Sequence, residues 1–472
     1  MQFLSFDFLA FLAFAVILFR VIPIRWRAHW ILLASYAFYC TWDVRMAVSL
    51  LVATVLCFVA GLQIEKLRGR KAASVVTFGT VSALVLYLAF FKVRSLISSG
   101  ASVAIPLGIS FYTFRLMSYL LDVSRRKCSA EQQFVRFAAY VAFFPHIVAG
   151  PIQRASSFLQ QFGTPSKRQS TDVMIGLTRM MIGFFKKAVV ADNLRLFVDY
   201  GYQHSHSGSA IPNLVAFYLY PLQVYADFAA LTDIAIGAAL LLGIQSPENF
   251  NMPYSASNIS EFWRRWHMTM TSWLRDYVFV PLGWTTRNWG QFGLVASLSV
   301  TMVLIGLWHG LTVGFLAFGL FHATCMVIDI LSTPSRKTFF QRNPQTARVA
   351  AFFGTVLTYN LVALGDTFFR APSLGGAAQM LGGLTLTLAH SGAALSALLA
   401  PPNHHAWIAL PGYVLAEVAE WIRTHKGLKL PTLLPRWVQW SAYACMTLAC
   451  IFVALLFLAR QTEANPFVYA KF

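Results

Sequence analysis

From Ala72 to Phe91 the chain reads AASVVTFGTVSALVLYLAFF, a run with no Asp, Glu, Lys, Arg or His, bounded by Lys71 and Lys92. A helix rises about 1.5 Å per residue, so about 20 such residues cross the roughly 30 Å hydrocarbon core of a bilayer. The run predicts a membrane-spanning helix. Comparable runs occupy Phe3–Leu18, Met46–Ile64, Val173–Ala191, Leu214–Leu242, Val295–Trp308, Val349–Leu364 and Val438–Leu458. The longest of these has room for two tilted pieces. Weaker stretches follow at Trp30–Tyr39, Ile105–Leu121, Val135–Ile147, Leu311–Ile330 and Tyr413–Ile422. Together they predict an all-α polytopic membrane protein with roughly eleven to thirteen spans, plus re-entrant or interfacial helices.

Composition agrees. Of 472 residues, 57% are hydrophobic and 12% charged, more apolar surface than one soluble core hides. No polar stretch is long enough to enclose a core of its own, so residues 1–472 read as a single membrane domain. The first apolar segment has no basic n-region and no small-residue cleavage site before Arg20, and reads as a retained helix. No internal repeat is visible, which weakens an inverted-repeat transporter.

The net charge of +19 follows the positive-inside rule. Arg20, Arg25 and Arg27 follow the first span, and Lys66, Arg68, Arg70 and Lys71 the third; the connections after the second and fourth hold only Arg45, and then Lys92 and Arg94. The N-terminus is therefore expected outside the cell membrane and the first and third loops in the cytoplasm. The same excess attracts anionic lipid headgroups, or an anionic donor such as a coenzyme A thioester. No basic run is interleaved with aromatics in a polar domain, so a nucleic-acid partner is excluded. Cys40, Cys57, Cys128, Cys325, Cys445 and Cys450 show no metal-ligand spacing, and no metal site is expected.

Ile244–Trp289 is polar and aromatic between apolar flanks. Within it, Ile259–Tyr277 predicts a helix with Ser257 or Asn258 as N-cap and Glu261 in the first turn. On that helix Glu261, Arg264 and Arg265 are neighbours, and His267 shares a side with Trp263 and Arg264. Trp263, Arg264, Arg265 and Trp266 suit an interfacial or re-entrant position and are candidates for holding an anionic donor.

His309 lies in IGLWHGLTVG, Ile305–Gly314, where Trp308 and Thr312 are the other polar side chains. An ionisable group at membrane depth needs compensation. Two readings stand: a packing or capping histidine, or a desolvated general base that takes a proton from an attacking hydroxyl. Gly306, Gly310 and Gly314 have the spacing that lets a second helix or a thin ligand approach. His267 is the second candidate, either anchoring its segment or polarising a carbonyl. His322, thirteen positions after His309, would face nearly the opposite way on one continuous helix and reads as structural. Asp227 and Asp233, six residues apart, point to different faces of a helix; each is expected to orient a histidine or pair with an arginine. Asp276 with Arg275, and Asp366 with Arg370, predict local ion pairs. His204, His206, His404 and His405 read as loop histidines.

In order along the chain, PLGISFYTF (Pro106–Phe114), FFPHIVAGP (Phe143–Pro151), DFAALTDIAIG (Asp227–Gly237), ENFNMPYSASNISEFWRRWHMTMTSWLRDYVFVPLG (Glu248–Gly283), LWHG (Leu307–Gly310) and FFRA (Phe368–Ala371) resemble the membrane-bound O-acyltransferases. The resemblance is to the bacterial branch that contains alginate O-acetyltransferase subunits and teichoic-acid D-alanyltransferases. It implies a ring of helices around a thin central tunnel, divided into N-terminal helices (1–100), a motif-bearing catalytic core (101–371) and C-terminal helices (372–472). It implies His309 as the catalytic histidine and His267 as its companion, with Trp308, Trp263, Arg264, Arg265, Trp266, Asp227 and Asp233 around substrate or donor. It further implies an enzyme of the bacterial inner membrane that takes an acyl group, acetyl first, from acetyl-CoA or another thioester, with no permanently bound cofactor. The acceptor would be an extracytoplasmic polysaccharide, reached directly or through a periplasmic acyltransferase partner. D-alanyl transfer from an acyl carrier protein to a teichoic-acid-like polymer is the alternative within the class. A transporter of an acyl or lipid-linked sugar carrier is the alternative outside it. The chain departs from the alginate-type pattern at Ala229, Ala230 and Leu231, where Ser-Gly-Tyr is usual, and at Trp284, Thr285 and Thr286, where Gly-Asn-Arg is usual.

Overall fold

The computed structural model describes residues 5–97, 106–148, 150–163, 170–205, 209–385 and 403–426, with the isolated residues Gly392, Ser396, Pro435, Trp437 and Ser441. The expected span Val438–Leu458 lies almost wholly outside them. Among the described residues every regular element is helical. They fall into two compact units, residues 1–183 with 231–247 and residues 184–230 with 248–456.

The first unit holds α1 (Phe6–Val21), α2 (Arg27–Cys40), α3 (Val44–Lys66), α4 (Lys71–Ile97), α5 (Ile109–Ser124), α6 (Phe134–Ala142), α7 (Phe144–Ile147), α8 (Ala155–Gly163) and most of α9 (Ser170–Phe185). The opening sequence run is α4. Val75, Phe78 and Leu86 stand 70, 77 and 69% exposed on it, as expected of a helix whose outer face meets lipid. α5 is instead buried on almost every side, Arg115 included. That guanidinium donates to the Tyr140, Val141 and Pro151 carbonyls at 3.2–3.5 Å, so its charge is met by backbone dipoles. The expected span Val135–Ile147 is broken at Phe143, where α7 restarts with Pro145 in its first turn.

The second unit holds α10 (Asp192–Gln203), most of α11 (Ala210–Leu241), α12 (Ile259–Arg265), α13 (Met268–Leu274), α14 (Val280–Thr285), α15 (Gln291–His309), α16 (Val313–Arg342), α17 (Pro344–Arg370), α18 (Leu374–Gly383) and α19 (Ala409–Lys426). Two short π-helical stretches, Lys186–Ala191 and Arg275–Phe279, continue neighbouring helices. α11 is one helix, not two pieces: Pro221 is accommodated inside it, and its carbonyl accepts from Tyr254 Oη at 2.7 Å.

Six helices among the described residues are long and apolar enough to cross a membrane: Val44–Lys66, Lys71–Arg94, Ala210–Leu241, Gln291–His309, Val313–Arg342 and Pro344–Arg370. The other described segments read as spans are helical too, but shorter or interrupted. Val173–Ala191 falls on α9 and the π-helical stretch that continues it. It contains Arg179, Lys186 and Lys187, all buried among protein groups.

The helix expected over Ile259–Tyr277 is also interrupted. Asn258 caps α12 as expected, its Oδ1 accepting from Glu261 N–H at 2.8 Å. The chain then breaks at Trp266 and His267, because the segment before α12 takes over its backbone groups. Asn251 N–H donates to Arg265 O (3.0 Å), and Met268 N–H donates to Asn249 O (2.8 Å). His267 therefore does not continue the face of Trp263 and Arg264.

Candidate active site

α15 ends at His309, and α16 begins at Val313. The two helices return on each other backbone to backbone. A Cβ on Gly306 would lie 2.1 Å from Phe315 O, and one on Gly319 would lie 2.8 Å from Met302 O. His309 and His322 thus belong to different helices, in keeping with the separate runs Val295–Trp308 and Leu311–Ile330, and both rings pack on Phe318 at centroid distances of 6.3 and 4.6 Å. His309 is buried, with Phe369 edge-on at 4.7 Å and Phe315 at 6.0 Å. Trp308 contacts it at 4.5 Å and reaches His267 at 6.1 Å, so one indole touches both candidate histidines.

His267 is fully buried at the break between α12 and α13 and has φ +40°, in the left-handed region. A non-glycine residue holds that conformation at a cost of order 1–3 kcal/mol. Asn249 supports it. Its Oδ1 accepts from Thr269 Oγ1 at 2.5 Å and lies 3.3 Å from His267 Nδ1. A carbonyl oxygen only accepts, so Nδ1 carries the proton and Nε2 the lone pair. On the far side of the cluster, Trp263 Nε1 donates to His322 Nδ1 at 3.4 Å. α17 presses on that ring, since a Cβ on Gly365 would lie 2.5 Å from His322 Nε2.

These contacts close into a loop of rings running Phe228, His267, Trp308, His309, Phe318, His322, Trp263, Phe262, Trp266, Phe250 and back to Phe228. Neighbouring centroids are 4.5–6.3 Å apart. The structure therefore brings together His309, His267, Trp308, Trp263 and Trp266.

The charged candidates lie elsewhere. Arg265 is spent on its own segment: it donates to Glu261 (2.7 and 3.1 Å), Asn251 O (3.3 Å) and Ser255 Oγ (3.2 Å). Burial would raise the Glu261 carboxyl, but the Ser257 N–H and hydroxyl and the Arg265 guanidinium hold it below the ordinary glutamate range. Arg264 is exposed on the other side of α12. Asp227 precedes Phe228 of the loop, and its carboxylate pairs with a lysine where an arginine or histidine is expected: Lys187 Nζ lies 2.7 Å from it and 2.9 Å from Asp192. Asp233 belongs to the first unit and pairs with Arg179 at 2.5 Å, as expected of an arginine partner. Arg275 and Asp276 pair at 2.9 Å as expected. Arg370 instead leaves Asp366 and reaches Asp199 at 2.9 Å, because it sits at the exposed end of α17 while Asp366 lies one turn deeper. His204 closes α10 against Tyr200 O at 2.9 Å. His206 and the side chains of His404 and His405 fall outside the described residues. Among the described residues no group of three or more His, Cys, Asp or Glu is placed to hold a metal ion.

Sequence reading missed Asn249, which looks like one more polar residue in a polar stretch. It also missed Phe369, whose only signal was the FFRA motif.

The model described as MBOAT, membrane-bound O-acyltransferase family, matches residues 5–363. The chain is 35% identical over 383 residues to the probable alginate O-acetylase AlgI of Azotobacter vinelandii, covering 77% of this chain and 73% of that one. It is 28% identical over 392 residues to the peptidoglycan O-acetyltransferase of Helicobacter pylori, covering 75 and 73%. The teichoic acid D-alanyltransferase of Bacillus subtilis is 29% identical over 270 residues, covering 56 and 68%.

Proposed function

The chain belongs to the membrane-bound O-acyltransferase family, and from that premise we propose that it moves an acetyl group from a cytoplasmic thioester to a hydroxyl of an extracytoplasmic polysaccharide, with His309 as general base. The observation that carries this reading is the burial of His309 beside Trp308, which also touches His267. In the proposed step the acceptor hydroxyl attacks the thioester carbonyl while His309 takes its proton. The C–S bond then breaks, and the thiolate recovers that proton as the thiol leaves. A dry aromatic surround suits this chemistry, since water would compete as acceptor. His267, with Nδ1 turned to Asn249, presents an acceptor at Nε2; this supports a role in holding a donor amide or the acceptor hydroxyl over polarising a carbonyl, which needs an N–H. Trp308 shapes the space between the histidines.

Acetyl is favoured over D-alanyl because the acetyl-transferring relatives cover more of the chain. A bacterial inner-membrane location, a tunnel and a periplasmic partner complete the proposal. The test is His309→Ala in cells at normal protein level. Polymer acetylation falls by about 10²–10⁴-fold if the histidine is the general base. Undiminished acetylation removes it from the mechanism. Purified protein given labelled acetyl-CoA or a D-alanyl carrier thioester separates the two donors.

A further inference from the structure

α12 has two faces. Phe262 and Trp263 are buried in the ring cluster, whereas Ser260 and Arg264 line a cleft of about 700 Å³ between the second half of α16 and the first half of α17. The polar wall of this cleft carries Arg264, Arg336, Lys337 and Asp329. Asp329 is occupied by Arg336 and by the Ser260 N–H at 3.2 Å. Arg264 and Lys337 form no ion pair among the described residues, and both are exposed. The wall is left with a surplus of positive charge.

The remaining lining is apolar: Pro334, Phe340 and the small residues Ala347, Ala350, Ala351 and Gly354 of α17. Both α16 and α17 have the length and apolarity of membrane spans. Beside the cleft they turn Leu331, Phe339, Phe352 and Phe353 outward. A cationic recess thus opens onto a lipid-facing apolar surface at the basic end of two spans.

We propose that this cleft binds the phosphate headgroup of an anionic membrane lipid, with its acyl chains running along α16 and α17. Guanidinium and ammonium donors replace the water around the phosphate, and the small residues of α17 leave room for a chain beside the helix. A soluble phosphate ester shares the headgroup chemistry but makes no use of the apolar face. The bound headgroup links Arg264 of α12 to Lys337 of α16, and so steadies the helix whose Trp263 donates to His322. The site lies away from the groups that would react, and its existence does not depend on the identity of the acyl group.

The experiment uses full-length protein in phosphatidylcholine nanodiscs, titrated with phosphatidylglycerol. Lipid retention is read by native mass spectrometry and the unfolding midpoint is followed in parallel. Phosphatidylglycerol should be retained and should raise the midpoint. The Arg264→Gln/Lys337→Gln variant, altered at two exposed side chains, should retain it about thirtyfold more weakly, at about fivefold per cation. Arg342→Gln/Arg348→Gln makes the same charge change on exposed residues outside the cleft and should retain it as the parent does. Equal loss in both variants would reduce the effect to general surface attraction and overturn the site. So would phosphatidylglycerol behaving as phosphatidylcholine does. In a further arm, displacement of the lipid by coenzyme A would assign the cleft to donor phosphates and end the lipid assignment. None of these arms reads acyl transfer, so their outcome is separate from that of the His309 test.

Discussion

Asn249 is fully buried, and one oxygen of its amide serves both Thr269 and the imidazole of His267. Removing that acceptor deletes one hydrogen bond from each of two buried donors. Asn249→Ala is therefore expected to lose about 1–3 kcal/mol of stability. It should also lose more turnover than the remaining folded fraction explains, because the His267 tautomer is no longer set. Thermal unfolding in detergent, with turnover per folded molecule, checks both. Arg179 and Asp233 make a second residue-scale case, since both side chains are only 4% exposed. Asp233→Ala takes a buried carboxylate away from the Arg179 guanidinium and should cost about 3–5 kcal/mol, more than Arg179→Met with Asp233→Leu, which removes both charges together. Chemical denaturation of the purified variants gives the comparison. At this scale the sequence exposed what was anomalous against its surroundings: a histidine in a glycine-rich apolar run, aspartates in an apolar helix. It hid residues ordinary in their context, such as Asn249, and partners chosen in three dimensions, such as Asp199 for Arg370.

Helices were legible from apolar runs because burial and lipid exposure both demand them, and the Asn258 cap followed from local chemistry alone. Breaks were not. The interruption at His267 depends on backbone bonds to Asn249 and Asn251, segments no helical period connects. Close helix approach was legible from spacing at Gly306 but needed structure to rank it. Gly306→Ala drives a methyl towards Phe315 O and should cost about 1–3 kcal/mol by parting α15 from α16. The same change at Gly79 of α4, where nothing lies within 4 Å, should be neutral or stabilising by up to about 1 kcal/mol from helix propensity. Unfolding midpoints of the two variants, measured side by side, test the ranking.

For the molecule as a whole, α19 lies beyond residue 363, where the family match ends, yet it fastens part of the second unit. Its Arg423 pairs with Glu248 at 2.7 Å and with Glu420, which meets Lys186 at 3.5 Å. Glu248 directly precedes Asn249, so α19 reaches the His267 support from outside the recognised motifs. Arg423→Ala should lower turnover, and Glu248→Arg with Arg423→Glu should restore part of it. Because Arg423 also pairs with Glu420, rescue is expected to be partial, and Glu248→Gln alone with unchanged turnover would mean that the Glu248–Arg423 pair does not position this segment. The two compact units are discontinuous in sequence, so no single composition shift along the chain marks them. The Arg179–Asp233 pair gives that discontinuity a place in time. Its members are 54 residues apart, and at about 5–20 residues per second of synthesis the arginine is made roughly 3–10 s before its carboxylate. During that interval the guanidinium lacks this carboxylate, so the pair forms within the first unit only after most of α11 has been made.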